Sequence, residues 1–148
     1  MKRTMTILFI LMMSAILGLG AQTGEAVNVG GDGIAVGGYD PVAYFRSGEA
    51  VPGNAGMKVE WNGAAYLFSS DENRRLFLDS PEAYLPQYGG YCAWAVGQGY
   101  LAGVDPEAWT IHDDRLYLNY SKSVQRRFQR DTEGNIAAAD ANWPGLRD

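Results

Sequence analysis

The sequence has 148 residues, is 47% hydrophobic and 12% aromatic, and carries a formal net charge of −5. That acidic balance argues against nucleic acid and anionic membrane surfaces as partners, since both select for basic patches. The lone cysteine, Cys92, rules out an internal disulfide, so a packed and partly aromatic core must hold the fold.

Met1-Lys2-Arg3 is a basic start, Thr6–Leu17 is almost wholly apolar, and Gly18-Leu19-Gly20-Ala21 supplies small residues. This is the layout of a secretory signal peptide, and the apolar run is too short to span a bilayer comfortably. Residues 1–20 are therefore expected to be cleaved after Gly20 or Ala21, leaving an exported protein, periplasmic or secreted. No later run reaches transmembrane length, so no stable membrane insertion is expected after cleavage. Residues 21–37 are rich in glycine and small side chains and read as a flexible leader, with one short strand at Ile34–Val36.

Asp40-Pro41 has the chemistry of a helix start, with a side-chain acceptor followed by a proline that needs no N–H, and Gly48 can close the helix. The spacing predicts a helix over Pro41–Ser47. Asn62-Gly63 between Met57–Trp61 and Ala64–Phe68 is a strong hairpin signal. Ser69 or Ser70 then caps a helix over Asp71–Leu78, with acidic residues in the first turn. Ser80-Pro81-Glu82 opens a further short helix, and Asp105-Pro106-Glu107 has the same cap-plus-proline pattern. A second hairpin pairs Thr110–His112 with Leu116–Asn119. Ser121 caps a helix to Arg130, and Ile136–Ala141 is helical until Asn142-Trp143-Pro144 ends it. Short hairpins with short helices and no alternation of strand and helix make the fold class α+β, a small single domain.

The stretch Tyr88–Gly99, Y-G-G-Y-C-A-W-A-V-G-Q-G, holds Cys92 between glycines and aromatics. A cysteine in the first turn of a helix begun at Tyr91 would meet free N–H groups that favour the thiolate. Buried among Tyr91 and Trp94 without those donors, it would be an inert core residue. Both readings stay open. His112, the only histidine, reads as a turn residue, and one histidine supports no Ser-His-Asp arrangement. Asp40 and Asp105 read as helix caps.

Gly38-Tyr39-Asp40-Pro41-Val42-Ala43-Tyr44-Phe45, then Tyr66-Leu67-Phe68-Ser69-Ser70, then Phe77 and Pro81-Glu82-Ala83-Tyr84, resemble a YHS domain over residues 38–88. Residues 89–148 form a C-terminal extension packed on the same domain. Its Y-G-G-Y-C-A-W-A-V and D-P-E-A-W motifs resemble an exported YHS subfamily, some of whose members carry selenocysteine at the cysteine of the G-G-Y-C-A motif. In this chain that position is Cys92, and the resemblance implies thiol or redox chemistry there. Metal-handling YHS domains read D-P-V-C-G-M and F-C-S-x-x-C. The matching residues here are Ala43, Ser69 and Asn73, poor ligands for soft metals, so the fold carries over and the metal site does not. The sequence thus points to an exported YHS-type protein with Cys92 as candidate catalytic thiol and an unknown redox partner. The alternative is a module that binds a metal ion or small ligand without catalysis. It names no cofactor and leaves open whether the protein is an enzyme.

Overall fold

A computed structural model describes residues 25–148, so the expected signal peptide lies outside the described residues. Asn62 and Gly63 both take positive φ, 46° and 80°, and turn β1 (Asn54–Trp61) into β2 (Ala64–Phe68) as an antiparallel pair. β1 alternates between half-buried and exposed residues towards the turn, but β2 is buried along its whole length. The reason is a cover that its own sequence does not reveal. Ala35 N–H donates to the Ala65 carbonyl at 2.9 Å, and Ala65 N–H donates to the Gly33 carbonyl at 3.0 Å. The stretch expected to be a flexible leader is therefore tied down on the outer edge of β2, and Ala35 and Val36 lie in the core. An edge strand with unpaired backbone groups is a liability, and this segment removes it.

The capped helices follow the sequence signals. α1 (Ala43–Arg46) sits behind Asp40, and α2 (Asp71–Asp79) is capped by Ser70, whose Oγ accepts Asn73 N–H at 3.1 Å. Ser121 caps α4 (Lys122–Arg130) in the same way, accepting Val124 N–H at 3.2 Å. Two further expectations fail. Asp105-Pro106-Glu107 does not begin a helix; it opens β3 (Asp105–His112), which pairs with β4 (Arg115–Asn119). The Asp105 carboxylate accepts Glu107 N–H at 2.9 Å in a local turn, and the register is irregular there, so Pro106 withholds no ladder bond. The last helix is also longer than its alanine-rich centre: α5 runs from Thr132 to Leu146 and passes through Pro144. Proline so near the helix end removes one terminal bond and leaves the rest intact.

The second half repeats the first from the left-handed turn through the serine-capped helix, and adds α5. Three consecutive left-handed residues, Val36-Gly37-Gly38 with φ of 54°, 58° and 81°, recur as Tyr88-Gly89-Gly90 with φ of 57°, 60° and 79°. After each comes a short helix, α1 in one case and α3 (Ala93–Gln98) in the other, then a hairpin, then a serine-capped helix. The parallel bridge Ile34–Ala65 returns as Pro86–Leu116, and the irregular pairing of Asn54 with Phe68 returns as Asp105 with Asn119. Even the local turn at Asp105 has its counterpart, Asn54 Oδ1 accepting Gly56 N–H at 2.8 Å.

The two units are not separate bodies. Leu116 and Leu118 of β4 join Phe68, Phe77, Tyr44 and Val42 in the first core cluster. α5 packs on α3, where a Cβ at Gly97 would stand 3.3 Å from the Asn135 carbonyl oxygen, and Asn142 Nδ2 donates to the terminal carbonyls of Val96 and Gly97. The end of α5 is tied back to the start of the described chain through Ala26 N–H to the Arg147 carbonyl, 3.0 Å, and the Arg147–Glu25 ion pair.

Candidate functional site

Asp40 is fully buried at the start of the first unit. Its Oδ1 accepts Val42 N–H at 2.9 Å and Ala43 N–H at 3.3 Å, so it is the helix cap its position before Pro41 suggests. Its Oδ2 accepts three more donors: Ser69 N–H at 2.8 Å, Ser69 Oγ at 2.6 Å and Asn73 Nδ2 at 2.8 Å. A carboxylate has about four lone-pair sites, so these donors saturate it. Ala43, Ser69 and Asn73, scattered in the sequence, are thus brought together around one carboxylate. They do not make a metal site. Alanine has no donor atom, and serine and asparagine are hard ligands already committed to Asp40. Among the described residues no group of three or more His, Cys, Asp or Glu side chains is placed to hold a metal ion.

Cys92 occupies the corresponding place in the second unit, directly before α3. Its sulfur accepts Tyr120 N–H at 3.3 Å, the counterpart of the Ser69 N–H that Asp40 receives. The thiol donates to Asn119 Oδ1 at 3.7 Å, and Asn119 Oδ1 also takes Trp94 N–H at 3.3 Å. The helix N–H that would favour a thiolate is therefore given to an amide oxygen. Cys92 and Asn119 are both 0% exposed, so no reagent reaches the sulfur in the closed fold. Asn119 Nδ2 is buried without a partner. His112 stands at the second hairpin turn with Nε2 3.4 Å from Asp113 Oδ2.

Two clefts open beside the hairpins. The larger, of about 880 Å³, runs between Trp61 and Tyr66 of the first hairpin and Tyr88 and Trp143 of the second unit, with Glu82 and Asp140 in its lining. Burial pushes the Tyr66 hydroxyl up to about 12. Burial also raises Tyr88, reinforced by the bond its hydroxyl donates to Asp140 Oδ1 at 2.8 Å. Both phenols are neutral donors at ordinary pH. The Trp61 indole N–H is buried and has no partner. The smaller cleft, about 450 Å³, lies at the matching place on the second hairpin, between His112, Tyr117, Glu133 and Ile136.

A hairpin and a serine-capped helix behind a Gly-Gly-Tyr turn define the class of fold, a small α+β unit used twice. Residues 42–88 match the family described as "YHS domain", so a YHS domain is present in the first unit. No curated protein and no solved structure gives a significant match. Sequence reasoning missed the second use of the unit and the clefts that follow from it. The signal was there: Gly-Gly-Tyr at 37–39 and 89–91, Tyr-Leu at 66–67 and 117–118, and Phe77 against Phe128, all spaced by roughly fifty residues.

Proposed function

We infer that the protein is an exported YHS-type binding module that holds a small organic ligand in the cleft between Trp61 and Trp143, without a metal. The observation that carries this reading is the cleft itself, about 880 Å³ and walled by four aromatic side chains, Trp61, Tyr66, Tyr88 and Trp143. Volumes of this order, with aromatic walls and a few polar groups, are typical of small-molecule sites. The saturated Asp40 carboxylate and the loss of thiolates at Ala43, Ser69 and Asn73 support the exclusion of a metal role. A thiol role through Cys92 draws support from the Tyr120 N–H aimed at its sulfur, but zero exposure of Cys92 favours a structural part.

Amide and indole ¹H–¹⁵N spectra recorded with millimolar benzyl alcohol, a neutral aromatic probe, test the module. The expected result is saturable shifts at the Trp61 and Trp143 indole N–H. Shifts elsewhere, or none, overturn the reading. Export rests on Lys2-Arg3, the apolar run and Gly18–Ala21. Sequencing of mature protein from the exported fraction is expected to start at Ala21 or Gln22, and an intact Met1 on protein confined to the cytoplasm refutes it.

A further inference from the structure

We propose that the larger cleft selects an organic ammonium ion, a fixed or protonated nitrogen cation on a small apolar body; this rests on the cleft being the ligand site. Three carboxylates line the cleft, Glu25, Glu82 and Asp140, and no Lys, Arg or His does so among the described residues. Glu25 is committed to Arg147 at 2.6 Å. Glu82 and Asp140 belong to no ion pair among the described residues, so their charge is free to act on a ligand. Asp140 is fixed in place by the Tyr88 hydroxyl.

The walls favour the same ligand. Indole and phenol faces attract a cation within about 6 Å of the ring, and the attraction grows as water is excluded. Trp61, Tyr66, Tyr88 and Trp143 all contribute to the lining, with Trp61 the most exposed and the other three more than nine-tenths buried. An ammonium carried on carbon also keeps apolar surface for those rings, which a small hydrated metal ion does not. An anion would meet two carboxylates with no positive side chain in the cleft's own lining, although Arg115 shares the smaller cleft with Asp140. The smaller cleft shows what the alternative looks like: its lining places His112 and Arg115 among Asp113, Glu133 and Asp140, a mixed set with no net preference of this kind.

The test compares benzyltrimethylammonium, benzyl alcohol and benzoate, which share a ring and differ in charge, by isothermal titration and by the Trp61 indole shift. The cation is expected to bind at least tenfold more tightly than the alcohol, and benzoate more weakly than either. Glu82→Gln and Asp140→Asn are each expected to weaken the cation several-fold and the alcohol much less. Asparagine keeps the acceptor for Tyr88, so a fold effect would show instead as loss of both ligands. If cation and alcohol bind equally at Trp61, the cleft reading stands and the ammonium proposal falls. If neither binds there, the cleft reading fails first.

Discussion

The same backbone turn holds a carboxylate in one unit and a thiol in the other. At Asp40 the acceptor is saturated by backbone and side-chain donors, and the Ser69 and Asn73 side chains exist, in structural terms, to face it. At Cys92 the same backbone donor arrives, from Tyr120, but the rest of the polar work has passed to Asn119, which itself keeps an unpaired amide hydrogen-bonding group. The difference teaches that the left-handed turn needs a buried acceptor at its end, and that a strong one and a weak one both serve. Burying a charge demands full satisfaction, while a thiol tolerates less.

Breaking the stronger node should have the larger effect. Asp40→Ala leaves buried N–H groups of Val42 and Ala43 and the Ser69 and Asn73 donors without their acceptor. The expected loss is on the order of 3–5 kcal/mol, the usual result of removing one partner from a buried charged network. Denaturant unfolding measures it, and a loss below about 1 kcal/mol would show that the network is not what holds the turn. A Ser69→Ala, Asn73→Ala double variant should lose less, because the backbone donors remain.

A second comparison lies in the tyrosines at matching places on β2 and β4. Tyr66 is raised to about 12 by burial alone, whereas burial raises Tyr117 against the opposing charge of Arg115. A tyrosine whose folded pKa exceeds its unfolded value releases its proton more readily when unfolded. Its stabilisation is complete below pH 10 and is lost as pH rises from 10 towards 12. Loss of the Tyr66 contribution amounts to about 2 kcal/mol at the top of that window. Melting temperature followed from pH 9 to 12 should fall steeply, and Tyr66→Phe should flatten the fall more than Tyr117→Phe. Equal slopes in the two variants would contradict the difference between the hairpins.

The smallest effect is expected at the weaker node. Cys92→Ala removes a small buried side chain and one weak acceptor, at a cost of about 1–2 kcal/mol. Alkylation of the wild-type thiol should proceed only through opening, so its rate should track global unfolding as denaturant is added. Fast alkylation of the folded protein, with a midpoint below that of a free thiol, would revive the redox reading.

Much of this was legible because it is local. Asn62-Gly63 carries its turn conformation in its own chemistry, and Ser70 and Ser121 announce their helices by residue type and spacing. Asp105-Pro106 misled because a cap and a turn use the same two residues, and only the pairing with Asn119 decides between them. The leader was misjudged for a related reason: glycine-rich composition says nothing about the strand edge that Gly33–Ala35 covers. At the site, Cys92 was found by being unique, but its burial depends on Asn119 and Tyr120, far along the chain. The cleft needed Trp61 and Trp143 side by side, a relation that no local pattern encodes.

Leu116 and Leu118 sit in the core of the unit they do not belong to. In a solenoid each module contacts its neighbour through one face, and stability accumulates module by module. Here β4 lends two leucines to the first unit's core, so that core is incomplete without the second unit, which also builds a cluster of its own around Tyr88, Tyr117, Phe128 and Trp143. Residues 42–88, the segment that matches the YHS domain, would on excision expose the faces that these leucines cover. Sequence boundaries and the boundaries of cooperative folding therefore differ in this protein: the motif is well under half the size of the thing that folds.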